Sequence, residues 1–389
     1  MLSFQSYLLE SSSEDKLKHL EHAEDHPINA GAEGFKHGFH TLEGVHNLLQ
    51  GKHSKVSIST KYDGSPSVVF GHHPENKKFF VASKSAFNKD PKLNYSADDI
   101  EKNHGHAPGL VSKLKSALTH LPKVTPSKGV YQGDFMYSKG DKDVASKGDS
   151  YHFKPNTITY SAKKNSEHGK AIKNAKIGIV VHTAYHGKNL EDMKAEYNAG
   201  LGGFKHHSDV HVISPKYDTK TAHYTPEAQT AYEGHMKKAV AAHTKIKDYS
   251  HLEGHRDTIK PYINNSVKAD ETPSTEGYKK FLSGHHAKSM AAVKSPAAKE
   301  RKQNAAAADM QHIEAHKTDF DNTFKLHHHL QKAKDVLNNV LSSSPQQFHH
   351  SIGGTLTKPE GHVAVIDNRP TKLVDRAEFS KANFMARPR

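Results

Sequence analysis

The hydrophobic pattern of this 389-residue chain changes period twice along its length, and that change limits the folds open to it. From Val56 apolar residues alternate with polar ones (Val56, Ile58, then Thr60), and a turn pair follows at Asp63-Gly64. Short apolar runs then cover residues 66–70, 79–82, 129–137, 157–161, 177–184 and 361–366. Alternation at period two, broken by Gly, Asn, Asp and Ser clusters, is the pattern of antiparallel strands. Between about residues 188 and 344 the composition turns instead to Ala, Lys and His. Thr225-Pro226-Glu227 supplies a helix cap followed by proline at the first helical position. A last helix over residues 305–341 gathers Ile313, Phe320, Phe324, Leu330, Leu337 and Leu341 on one apolar face. No repeat of fixed period is present, which argues against a solenoid. These patterns predict an α+β protein whose sheet-rich core, residues 30–187 and 351–389, is interrupted by a helical insertion over 188–350.

Charge and composition narrow the partners. The formal net charge is +13 and the pI about 9.4, a balance that favours polyanions, because each Lys or Arg set on a phosphate releases a counterion. Residues 188–350 carry only about +4 of that excess, so the positive charge is weighted towards the sheet-rich parts. Nucleic acid is the partner this predicts. The chain has no cysteine, which excludes a disulfide framework, a thiolate metal site and a cysteine nucleophile. No apolar run approaches the roughly 20 residues of a membrane span, so no membrane partner is expected. A mean hydropathy of -0.79 implies that part of the chain is thinly cored. Residues 1–13 read as a leader and linker, with Leu2, Phe4, Leu8 and Leu9 ahead of Ser11-Ser12-Ser13.

The residues best suited to chemistry are Lys61-Tyr62-Asp63-Gly64, where a strand ends in a tight turn. A lysine held rigidly there, partly buried and among cations, becomes a nucleophile able to attack phosphorus. At this motif the chain resembles the covalent nucleotidyltransferase superfamily, the ATP-dependent DNA and RNA ligases and mRNA capping enzymes, whose first motif is Lys-x-Asp-Gly. Further segments follow in the family's order. Ser83-Lys84 resembles the basic pair near the ribose, and Gln132-Gly133-Asp134 the Gly-Glu of the third motif. Pro359-Glu360-Gly361-His362-Val363 resembles the fourth and Lys372-Leu373-Val374-Asp375 the fifth.

The resemblance implies an antiparallel adenylation core in which Lys61 takes the nucleotide of ATP as a lysyl-AMP phosphoramide. Asp63 and Gly64 would shape the turn, Ser83 and Lys84 would face the nucleotide, and Asp134 and Glu360 would bind ribose or a divalent Mg2+ or Mn2+. Lys372 would steady charge on the α-phosphate. Nucleotidyl transfer depends on such charge neutralisation and in-line positioning more than on acid or base groups. The chain departs from the family in three places. Val374 stands where the fifth motif has a second lysine, Asp134 stands for the usual Glu, and only a short tail follows Lys372, so no C-terminal OB-fold is expected.

The function this implies is ATP-dependent ligation of DNA or RNA ends. Two alternatives are a non-catalytic virion or internal head protein with a degenerate ligase core, and a nucleotidyltransferase acting on a protein or small molecule. The first ten residues resemble the capsid-targeting leaders of T-even-type tailed phages, cut after Leu-x-Glu, here Leu8-Leu9-Glu10. With its Lys-x-Asp-Gly core the chain is similar to an uncharacterised family of T-even-like marine phage proteins. That implies the cytoplasm of an infected host cell, or packaging in the virion through the capsid.

Histidine is abundant, with 34 residues. The run His327 to His329 cannot offer one metal a shared face, since consecutive helical positions point about 100° apart. His312 and His316, four apart, share a face, but the sequence names no third ligand.

Overall fold

The computed structural model describes residues 20–376; the expected leader, its Leu8-Leu9-Glu10 site and the end of the chain lie outside them. The chain is mixed α/β with antiparallel-rich sheets, and it divides into two compact units. Among the described residues the first comprises Ser57–Asp218 and Ser344–Pro370, and the second Glu21–Val56, Thr219–Ser343 and 371–376.

In the first unit the alternating segments form strands where the period-two pattern runs. They are β2 (Ser57–Lys61), β3 (Ser67–His72), β4 (Phe79–Ala82), β5 (Val130–Ser138), β8 (Thr159–Lys163), β9 (Ile177–His186) and β14 (Gly361–Ile366). One sheet runs in the order β10 (Lys194–Tyr197), β9, β5, β3, β4, with β11 (Val210–Ile213) added to β9 in parallel. Successive side chains of a strand point to opposite faces. Val68 and Phe70 therefore pack with Phe135, Ile179 and Leu114, the last from α3 (Pro108–His120), which follows α2 (Ala97–His104). Val69, between them, turns the other way to Phe80, Phe87 and Tyr185.

A second sheet runs in the order β13 (Thr355–Thr357), β12 (His349–Ile352), β8, β7 (Ser150–Phe153), β6 (Val144–Lys147), followed by α4 (Glu167–Asn174). Tyr160 of β8 and Phe348, the residue before β12, pack on Tyr62, and Phe153 of β7 packs on both of them, so the aromatic floor of the Lys61 turn comes from this sheet and its flank. β2 pairs with β14 instead, antiparallel, with Gly361 opposite Lys61.

Among the described residues the second unit is helical apart from β1 (Glu21–His22) and the part of β15 (Arg369–Val374) that pairs with it in parallel. α1 (His26–Leu49) bends at Ala30 and at Gly31, whose φ of 57 suits glycine. α5 (Pro226–His243) starts on Thr225, whose hydroxyl accepts from Ala228 N at 3.3 Å, with Pro226 in the first turn. α6 (Arg256–Ala269), α7 (Thr275–Ala291), α8 (Pro296–Ala315) and α9 (Lys317–Ser342) complete it. The single helix expected over 305–341 is two helices, broken at His316, and the first begins at Pro296. The apolar stripe missed this start because residues 296–309 present almost no buried face. Ile313, Phe320 and Phe324 do lie in one core, with Ile28, Ile259, Tyr262, Tyr278 and Leu282.

The units divide the chain elsewhere than at 188 and 350. β10 and β11 keep the first unit running to Asp218 because both pair with β9. Residues 30–56 and 371–376, expected with the sheet core, belong to the helical unit: Ile28 of α1 joins its apolar core, and Thr371 accepts or donates to His26 and His37 at 3.1 and 3.0 Å. Among the described residues no helix is long and apolar enough to cross a membrane.

Candidate functional site

Lys61 is the last residue of β2, and because Gly361 is its cross-strand partner, Glu360 enters at the same level. The Lys61 Nζ donates to Glu360 Oε1 at 2.5 Å, with 25% of the lysine side chain and 11% of the glutamate side chain still exposed, so the pair is reachable from solvent. Sequence reasoning placed cations around this amine; the groups it meets are carboxylates. A hydrogen bond of that length fixes both side chains in position.

The turn after Lys61 is fixed from three sides. The Asp63 carboxylate accepts from Thr157 N at 2.7 Å, Ile158 N at 3.1 Å and Asn156 Nδ2 at 2.9 Å, while Asp63 N donates to the Tyr160 hydroxyl at 2.7 Å. Three donors on one carboxylate make Asp63 a clamp on the backbone. Ser65 N reaches Phe135 O at 2.9 Å, and Phe135 N reaches Pro66 O at 3.0 Å. Gly64 lies so close to β5 that a Cβ there would stand 2.6 Å from Asp134 Cβ and 3.0 Å from Phe135 O. The turn is therefore packed directly on Asp134.

Asp134 sits half-buried on β5, opposite Ser67 of β3 and Val180 of β9. Burial pushes its carboxyl up, but His182, Ser67 and Lys61 together outweigh that and hold it below the ordinary aspartate range. The His182 Nε2 is 3.6 Å from Asp134 Oδ2. Sequence reasoning missed this histidine. It is the extra residue of a β-bulge, since Gln132 faces Thr183 while Gly133 already faces Val181. A bulge re-aims a side chain, and here it turns His182 towards Asp134. The available signal was a lone imidazole inside the apolar run 177–184. Behind the site Gln132 donates to Ser67 Oγ at 2.9 Å and accepts from Tyr185 at 2.5 Å.

Ser83 and Lys84 follow β4, whose Ala82 is opposite Val69, so they leave the sheet at the end where Ser67 and Asp134 lie. Ser83 caps the short turn Lys84–Phe87 by accepting from Ser85 N at 3.3 Å, and Lys84 is exposed. Lys372 is on β15 in the second unit, opposite His22, and Val374 is buried two residues on. The group assembled within the first unit is thus Lys61, Asp63, Gly64, Asp134 and Glu360, with His182 and Tyr160 added. A lysine amine beside two carboxylates, on a rigid turn open to solvent, can bind a divalent cation and a phosphorylated ligand or hold a closed ion pair.

Residues 16–387 match a family described as "Family of unknown function (DUF6267)", so the chain belongs to that family. Over 213 residues it is 24% identical to the glycogen synthases of Bacillus cereus (strain ATCC 10987 / NRS 248) and Bacillus anthracis, a stretch covering 49% of this chain and 43% of each relative. The chain thus spans less than half the length of those relatives. No solved structure matches it.

Proposed function

We propose that this member of a family of unknown function carries in its first unit a nucleotidyl-transfer site, in which Lys61 accepts AMP from ATP and passes it to the 5′-phosphate of a nucleic-acid end. The observation that carries the reading is a solvent-reachable lysine amine 2.5 Å from Glu360, on a turn clamped by Asp63 and packed against Asp134. In the first step Nζ attacks the α-phosphorus, a P–N bond forms, and the P–O bond to pyrophosphate breaks with the electron pair leaving on pyrophosphate. Glu360 is the nearest acceptor for the amine proton. In the second step a 5′-phosphate oxygen displaces the lysine and restores the amine. Two carboxylates beside the amine are a donor set that fits Mg2+ or Mn2+, so Asp134 and Glu360 are the residues that would hold one; bound there, it neutralises charge on the phosphates. The net charge of +13 suits a nucleic-acid acceptor.

The test is self-labelling. Incubation with α-labelled ATP and Mg2+ or Mn2+ should leave a label stable to alkali and released by acid, as a P–N bond is, and Lys61→Ala should abolish it. A parent protein that stays unlabelled with every common nucleotide ends the reading. Labelled protein that discharges to nicked duplex or RNA ends identifies the acceptor; discharge only to a protein or small molecule moves the activity there.

The closeness of the Lys61–Glu360 pair also suits a second reading, a ligase-like core kept without turnover, in which the pair is a structural tie. In that case Glu360→Gln would lower stability while no labelling is seen in either form.

A further inference from the structure

We propose that His251, His316 and Asp319 form a binding site for a divalent transition metal ion, zinc foremost, at the break between α8 and α9. One ligand atom from each residue lies within 4.8 Å of the other two. The three come from separate places in the second unit: His251 from the 3-10 turn Tyr249–His255, His316 from the residue that ends α8 and begins α9, and Asp319 from the first turn of α9. His316 has φ -111 and ψ 23, outside the helical range, and so marks the break between the two helices.

Two of the three ligands are already in contact, and the third joins them by turning its ring, since donor atoms up to 4.8 Å apart must close and stacked rings do not aim their in-plane lone pairs at one point. His251 Nδ1 is 2.9 Å from Asp319 Oδ2, and the His316 ring stacks on that of His251 with centroids 3.5 Å apart and planes at 22°. Donor atoms of one tetrahedral zinc, each at about 2.0–2.1 Å, stand about 3.3 Å apart. The His251–Asp319 hydrogen bond therefore opens by a few tenths of an ångström for a metal to take the place of its proton. Asp319 is buried and already oriented, because its second oxygen accepts from Lys247 N at 2.8 Å. Asp248 lies 3.9 Å from His251 Nε2, beyond hydrogen-bond reach, and adds negative charge beside the cluster. His312, which the sequence paired with His316, positions instead of ligating: its Nε2 donates to the His251 carbonyl at 2.9 Å.

Two imidazoles and one carboxylate select the ion. Magnesium and calcium take oxygen ligands, whereas mixed nitrogen and oxygen donors suit zinc, cobalt and nickel. Three protein ligands leave a fourth position for water. The site would tie the Tyr249–His255 turn to the start of α9, and it stands independently of the nucleotidyl-transfer reading.

Full-length, tag-free protein stripped of metal is titrated with Zn2+ against a chromophoric chelator, and with Co2+ read by visible absorption. One tight equivalent is expected. His316→Ala and His251→Gln, each checked for folding by circular dichroism, should weaken it by roughly a hundredfold. His285→Ala, at an exposed histidine, should leave it unchanged. A parent with no tight equivalent overturns the proposal, as does unchanged affinity in the two ligand variants, which would assign binding to scattered surface histidines. His251→Gln retains an amide that can donate to Asp319, so it reads metal affinity even if His316→Ala does not fold.

Discussion

In the first unit the deepest ionisable side chains include imidazoles held neutral, His211, His350 and His362, whereas in the second they include full charges held in pairs, Lys334 with Glu24 and Arg376 with Asp25. Burial pushes His211 and His362 down to about 3 and His350 to about 4. Burial would push Glu24 up, but Lys334, His22 and Arg376 overcome it and hold it at about 2. The Lys334 and Glu24 residues are both 0% exposed and meet at 2.8 Å. The difference follows from what each architecture offers a polar group. A sheet with helices beside it brings hydroxyls and rings together from several elements, as when His211 of β11 meets Tyr137 of β5 at 3.1 Å and His168 of α4 at 3.0 Å. Helices consume their own backbone donors and acceptors, so a polar group buried among them must find a side chain, and a charge must find a countercharge.

The largest expected effect tests the paired charges. Lys334→Ala leaves Glu24 buried with its main partner gone and should cost about 3–5 kcal/mol in denaturant unfolding. Replacing both Lys334 and Glu24 by Met should recover most of that, and a parent-like midpoint for the single variant would break the comparison.

Next comes the neutral imidazole. The unfolded His362 takes a proton near 6.5 and the folded one only near 3, so the unfolded state binds more protons in acid. Stability is kept above pH 6.5 and falls as pH drops through 6.5 towards 3, by on the order of 2 kcal/mol from this residue at pH 4.5. His362→Gln should flatten that slope. Glu24 acts elsewhere: its depressed value keeps its contribution above about 4.5 and loses it only as pH falls through about 2. A parent slope between pH 6.5 and 4.5 that His362→Gln leaves untouched would sink the neutral-imidazole account.

Gly64→Ala puts a methyl 2.6 Å from Asp134 Cβ and should destabilise the first unit by about 1–3 kcal/mol while displacing Lys61. Hydrogen exchange at β2 and β5 would show it. The smallest effect is Thr225→Ala, which removes the α5 cap and should cost about 1 kcal/mol, read as faster exchange in the first turn of that helix.

Much of the fold was legible where the signal is local. Alternation located β2 to β5, β8, β9 and β14, and Thr225-Pro226 located the start of α5, because side-chain direction and capping depend on residues within a few positions. The break at His316 was not legible, since Ile313 and Phe320 continue one apolar face across it. Nor were α1, α2 and α3, whose buried residues are diluted by His, Gly, Lys and Ser. Within the site, Lys61, Asp63, Gly64, Asp134 and Glu360 were singled out from sequence and lie together in the first unit, while Lys372 lies in the second.

The sequence by itself determined that Lys61 ends a strand before a tight turn, because alternation and Asp63-Gly64 act within a few residues. Only the tertiary structure decided what that lysine faces. Its partner Glu360 lies 299 positions away and is delivered by the register of β2 on β14, and His182 reaches Asp134 through a bulge in β9. Strand pairing satisfies backbone groups across the fold, so no local pattern of side chains reveals which residues it will set side by side.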